Sequence, residues 1–424
     1  MGWSANNEPG RGHDGGRDGG RDRGHDRARG TGGRNGPGSA SPALDDPVGM
    51  RRAGRELLSL ALFDSRNHLL RLLALDETPT ALRLAARAGW YQEYWIARHV
   101  QRSRGEACEA QGLRLASIEP CIDDWLRGDL PAPAALRSYL ADTLEVTLEL
   151  LAALNDSTED DVSLHFYRCC LLHEDRLGET LATQLPWRAA AGGPPARADR
   201  EALWQPAQRW QLGSAPGGLV PQNERWAHEV SVPEFEIDAL PVNWARYVEF
   251  AEDGGYDRQE LWSDAGWAWV QQLGRRAPGR VEQLHGGVLV ARGAGPSSGL
   301  QRASPAQPAL HVSRFEAEAW CRWAGRRLPT EPEWEIAASQ GAGRGFVWGD
   351  VFEWVAGSAR AWPGAGAPAP GSLDAAPAPA PAPGQGVLRG ASFATRARCR
   401  HHKARRYAAP ERDDLFCGFR SCAL

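Results

Sequence analysis

The chain has 424 residues, 42% of them hydrophobic and 24% charged, with a net charge of -4. That length exceeds one ordinary hydrophobic core and implies two domains, and the composition is that of a globular chain with no apolar run long enough to span a bilayer. The weakly negative balance supplies no field for a polyphosphate, which argues against nucleic acid as a partner.

Residues 1–49 interleave Gly, Arg and Asp with almost no aliphatic side chains, so they cannot bury enough surface to offset their ordering entropy. A disordered leader is expected. Arg/Gly tracts can bind RNA, but the alternating Asp residues cancel most of the charge. A solvated tail is the favoured reading, or a start placed too early, because Met50 immediately precedes the first structured segment. The leader has no apolar stretch of the secretory kind. Eight cysteines without framework or CxxC spacing are expected to stay reduced, and a cytoplasmic location follows as the default.

From Arg51 onward Leu57, Leu58, Ala61, Leu62, Leu69, Leu72 and Leu73 recur at helical spacing. Further amphipathic helices are expected over Pro79 to Arg102, Ala134 to Leu154 and about Glu159 to Gln184, giving a four-helix bundle over residues 50–187. The Pro- and Gly-containing stretch 105–133 reads as a crossover beside a site between helices. Residues 188–222 read as a linker that enters a first strand.

Beyond it, residues 223–424 show short strand-like pieces, two helical segments (NWARYVEFAEDGG and SRFEAEAWCRWAG) and many Gly turns, the pattern of an irregular α+β domain. RLPTEPEWE is a capping box, with Thr330 as N-cap and Glu333 three residues on. Most of the 18 Trp fall in this half, either filling a core or walling a pocket for a cationic ligand, with core the favoured reading for any single one. A Pro-Ala insert at 361–386 is expected to be a surface loop.

Several stretches stand in a specific order: NERWAHEVSVPEFEI, LWSDAGWAW, HVSRFEAEAWCRWAGRRLPTEPEWEIAA, WGDVFEW, VLRGASFATR and GFRSCAL, preceded in the bundle by AGWYQEYWIARHVQR and HEDRLGE. In this order they resemble the ergothioneine/selenoneine synthase family, and AGWYQEYW, PERDD and GFRSCAL look most like its selenoneine branch. The resemblance covers most of the chain from Met50. It implies an N-terminal DinB-like bundle joined to a formylglycine-generating-enzyme-like, C-type-lectin-like domain. It also implies a non-haem Fe(II) and dioxygen oxidoreductase that joins a sulfur or selenium donor to hercynine.

By the same resemblance, three histidines would hold the iron, two of them at i and i+4 of an HExxHxE run. Here the i position is His173, but i+4 is Leu177, and the third position, three residues before Trp90, is Arg87. Arg176 and Arg406 stand where a Gln and an Asn would touch the substrate, with Tyr407 next to the second. His99 lies about 18 Å along a helix from Arg87, and His165 about 12 Å from His173. Glu174 and Asp175 could ligate but point elsewhere from His173. Two readings follow: an enzyme of C–S or C–Se bond formation on hercynine, or a catalytically dead homologue that binds or scaffolds. Arg87 and Arg176 further suggest an anion site in the vacated pocket, set against ordinary pairing of Arg176 with Asp175 or Glu179. Formylglycine generation is disfavoured, because Ala404 stands where a cysteine partner of Cys399 would be expected.

Overall fold

Leucine and alanine at three- and four-residue spacing build four helices in the first half: α1 (Arg55–Leu73), α2 (Pro79–Gln92), α3 (Pro133–Ala152) and α4 (His165–Ala182). The computed structural model describes residues 42–98, 132–154, 160–185, 192–291, 299–366 and 381–424. Residues 1–41 of the leader, His99, the crossover at 105–133 up to residue 131 and most of the Pro-Ala insert lie outside the described residues, while the end of the leader, expected to be disordered, forms short helical turns at Pro42–Asp45 and Pro47–Met50.

The helix ends follow local chemistry. Thr78 caps α2 by accepting the Ala81 N–H at 3.3 Å, and Pro79 takes the first helical position, where its missing N–H costs nothing. Two expected starts are corrected. The first helix begins at Arg55 rather than Arg51, because Gly54 occupies its N-cap in an extended conformation. The fourth begins at His165 rather than near Glu159, because Asp160 first folds a turn by accepting the Ser163 N–H at 2.7 Å.

α4 packs on α1 and α2, and α3 on α1 and α2. Leu69, Leu72 and Leu73 of α1, Leu82 and Ala85 of α2, Leu136 and Leu140 of α3, and Leu177 and Leu181 of α4 form one buried cluster. A polar node crosses the bundle beside it. Arg66 donates to both oxygens of Glu174 at 2.7 and 3.0 Å, to Gln92 at 2.8 Å and to the Leu140 carbonyl, so one side chain from α1 ties down the other three helices. The pair is fully buried, and removing either partner would strand a charge.

The segment expected to be a linker contains two strands. β1 (Leu203–Gln205) pairs antiparallel with β4 (Phe235–Ile237), and β2 (Gln208–Leu212) with β3 (His228–Val232). β5 (Val281–Gln283), β6 (Leu289–Ala291) and β7 (Leu300–Arg302) make a small antiparallel sheet. The main sheet runs β10-β9-β8-β11, with β8 (Phe352–Val355), β9 (Gly386–Gly390), β10 (Arg405–Ala408) and β11 (Cys417–Phe419). β8, β9 and β10 are antiparallel neighbours, and β11 joins β8 in parallel.

Four helices surround these sheets: α5 (Trp244–Glu252), α6 (Asp264–Leu273), α7 (Arg314–Trp323) and α8 (Glu331–Gln340). The expected box opens α8, where Glu333 accepts the Thr330 N–H at 2.7 Å. Trp244, Trp320, Trp334 and Trp354 are fully buried, so these four fill cores. Their polar edges are satisfied where the sequence provides partners: Trp354 Nε1 donates to the Val312 carbonyl and Trp334 Nε1 to Glu353, each at 2.8 Å. No helix of the described residues is long and apolar enough to cross a membrane.

Candidate functional site: a cleft between α4 and the C-terminal sheet

α4 presents one face to the bundle core and another to the second half of the chain, and a narrow cleft of about 60 Å³ lies along the second. Leu171, Leu172, Asp175, Arg176 and Glu179 of α4 form one wall. Met50, Arg51, Leu219, Pro221 and Glu224 form a second, while Phe352, Gly390, the 395–399 turn, Arg405 and Arg406 close it from the sheet side. Gly390 has φ 81, and a Cβ there would sit 2.9 Å from the Trp334 ring, so only glycine fits this part of the wall.

The walls are held together by buried charge. Arg398 grips Asp175 with two bonds of 2.7 and 2.8 Å and reaches Asp64 of α1 at 2.7 Å; Ser65 adds a third donor to Asp175 at 2.8 Å. Burial opposes the charge on Arg398, but Asp175 outweighs it and raises the guanidinium above its ordinary value. Arg396 also pairs with Asp64. One turn further along α4, Glu179 accepts from Ser392 at 2.8 Å, from Thr395 and from Arg406. Across the cleft, Arg51 donates to both oxygens of Glu224 at 2.7 and 2.9 Å. Burial pushes the Glu224 carboxyl up and Arg51 overrides it, holding the group at about 2.

Of the residues singled out in the sequence, Arg176 and Arg406 line this cleft together, and Arg87, His173 and Tyr407 do not. Tyr407 turns away, donating to the Arg360 carbonyl at 3.2 Å and accepting from Arg405 at 3.0 Å. The alternative pairing for Arg176 meets acids already engaged from the sheet side, since Asp175 is held by Arg398 and Glu179 by Arg406. Sequence reasoning missed Arg398, Asp64 and Ser392. Their separations in sequence are so large that no local pattern marks them.

The residues present do not fit the three-histidine iron site that the resemblance implies. His173 stacks on Tyr91 with ring centroids 4.2 Å apart. Burial first, then the charges of Arg176 and Arg87, push the imidazole down to about 3, and the Arg87 backbone hydrogen-bonds it. Leu177 is 8% exposed inside the leucine cluster, a position with neither a lone pair nor room for a ligand. Arg87 is a permanent cation that would repel ferrous iron. Of the substitutes weighed, Glu174 is taken by Arg66, Asp175 by Arg398, and His165 sits 3.6 Å from Cys169 at the start of α4. Among the described residues no group of three or more His, Cys, Asp or Glu is placed to hold a metal ion.

Cys399 lines the cleft, where burial and then the Asp175 charge push its thiol well above the ordinary value. It stays protonated, donating to Asp175 at 3.4 Å, and is no nucleophile. Cys417 and Cys422 are buried and, like the other described cysteines, unbridged.

A helical bundle clamped by buried ion pairs to a small-sheet, tryptophan-rich domain defines the class of molecule, and residues 189–364 match the sulfatase-modifying factor enzyme 1-like domain family. Over most of its length the chain is similar to proteins named hercynine oxygenase. The one from Mycolicibacterium thermoresistibile is 29% identical across 86% of this chain and 94% of its own, and that of Mycobacterium tuberculosis 28% across 86% and 98%. The formylglycine-generating enzyme of Streptomyces coelicolor is 35% identical across 40% of this chain and 58% of its own. The chain is thus a homologue, at 28–29% identity, of proteins named hercynine oxygenase, and its motifs resemble the ergothioneine-pathway family.

Proposed function

We propose that the chain binds hercynine, the imidazole-bearing betaine in the name of its relatives, in the cleft between α4 and the sheet, and that it binds this ligand without iron held by three histidines. The observation that carries the metal-free half is Leu177: the position that would complete the helix-borne pair is part of the bundle's leucine core. The ligand half is supported by relatives similar across 86% of the chain and by a cleft that sets charged and apolar side chains side by side. In this reading the bundle and the sheet domain, which begins with β1 and β2 rather than at residue 223, act as two jaws.

A second reading is favoured by the relatives, which match nearly end to end. It is oxidative C–S or C–Se bond formation on hercynine with Fe(II), dioxygen and a sulfur or selenium donor, the selenium chemistry following from the selenoneine-like stretches. The DinB-like character of the bundle belongs with this reading.

Protein purified with ferrous iron, analysed for metal and then titrated calorimetrically with hercynine, separates the two. Hercynine binding with iron far below one ion per chain is expected. Stoichiometric iron together with hercynine binding overturns the metal-free reading, and failure to bind hercynine overturns its assignment as the ligand.

A further inference from the structure

We propose that a second groove, in the sheet domain, binds an acidic peptide segment as an added strand along the open edge of β3. The groove holds about 870 Å³ and runs between β3, the stretch from α7 into the start of α8, and the loop that follows β8. None of the residues lining it lines the cleft beside α4. Val230, Ser231, Val232 and Pro233 meet it in succession. Side chains alternate between the two faces of a strand, so a cavity that touches four residues in a row lies along the strand's edge. β3 spends its other edge on β2, and among the described residues no further backbone hydrogen bond leaves the strand. An edge of this kind pairs with an extended chain.

The other walls set the charge of that chain. Five arginines and three carboxylates line the groove, and the carboxylates are already engaged. Glu331 accepts from Arg405 at 2.6 and 2.8 Å and from Arg389 at 3.2 Å, neither of which lines the groove. Glu333 takes both arms of Arg327 at 2.8 Å, and Glu318 accepts from Arg314 at 2.8 Å. Arg326 is drawn to Ser421 at 2.6 Å and to Asp238 at 3.4 Å. Arg322 comes no closer than 4.0 Å to Glu318, while the Leu261 carbonyl holds one of its nitrogens at 2.8 Å, so the fork is fixed with donors to spare. Arg360 is exposed and pairs with no carboxylate among the described residues. Between these charges the groove is lined by the buried side chains of Val232, Leu328 and Trp362. A strand added to β3 continues its two faces, so a partner that alternates apolar and acidic side chains fills this lining and meets Arg322 and Arg360.

The test is fluorescence anisotropy of the full chain with a labelled peptide of three Val-Glu repeats, its Val-Lys counterpart, and the Val-Glu peptide N-methylated at alternate residues. The acidic peptide is expected to bind at least about tenfold more tightly than either control. Arg322→Gln and Arg360→Gln should each weaken it about 5- to 10-fold, as loss of one charge-assisted contact requires, with thermal melts showing each variant folded. Absence of binding, or equal binding of the Val-Lys or the methylated peptide, would overturn the proposal. So would self-association in sedimentation that Arg360→Gln disperses, which would give the edge to a second copy. Displacement of the peptide by equimolar single-stranded RNA would overturn it too, making the arginines a nucleic-acid site.

Discussion

On the side of α4 that faces the bundle, Leu177 and Leu181 pack among leucines and alanines of three other helices, and the single charge, Glu174, is matched by Arg66. On the side that faces the sheet, Asp175 and Glu179 collect donors from residues more than 200 positions away, beside the apolar side chains of Leu171 and Leu172. The first face draws its stability from area removed from water, is tolerant in direction and has no use for a ligand. The second is directional, costly to desolvate and stable only while each charge keeps its partner. A helix with one face of each kind can hold a binding cleft in register without letting ligand chemistry reach the core.

The largest expected effect tests the ionic face. Arg398→Ala leaves Asp175 buried without its cation and should lower unfolding free energy by about 3–5 kcal/mol. Arg398→Met combined with Asp175→Leu should recover most of that. Denaturant titration reads both, and a single variant as stable as the parent would break the contrast between the faces. On the apolar face, Leu177→Ala should cost about 3 kcal/mol through lost transfer energy and a cavity, whether or not ligand is present. Glu179→Gln should cost less, about 1–2 kcal/mol, because Ser392 and Thr395 can still donate to the amide oxygen.

The smallest effect is acid sensitivity where α1 meets α4. Burial, then the Arg396 charge, hold His68 at about 4, below its ordinary 6.5. The unfolded chain therefore takes up the proton first as pH falls, so this contribution is complete above pH 6.5 and is lost progressively between 6.5 and about 4. At pH 5 the loss is roughly 2 kcal/mol for a fully buried group, and about 1 kcal/mol allowing for its partial exposure. Unfolding midpoints at pH 7 and pH 5 should therefore shift less in His68→Gln than in the parent; identical shifts would remove His68 from the account.

Much of the architecture was legible because it rests on local rules. Leucine spacing marks the bundle helices, Pro79 and Thr78 mark a helix start, and Thr330 with Glu333 marks another. Ser313 and Glu316 make the same box at the start of α7 and carry the same signal. β1 and β2 read as linker because LWQ and QRWQL are too short to alternate clearly, and each is a strand only by virtue of a partner further along the chain. At the site, Arg176 and Arg406 could be named from motif positions, but no periodicity could show that Tyr407 faces away or that Arg87 stands outside the cleft. The Asp175–Arg398 and Asp64–Arg398 bonds join residues 223 and 334 positions apart, and contacts of that range are set by tertiary packing alone.

The leucine at position 177 also has a consequence for how the molecule meets its surroundings. Where a metal clamps a helix, folding is linked to metal supply, and chelation lowers the melting temperature by mass action. Here Leu177 holds α4 to the bundle by packing, so on the metal-free reading the register of α4 would not depend on the cations in solution. Prolonged chelation should then leave the melting curve of the wild-type protein where it was, and a shift to lower temperature would overturn the metal-free reading.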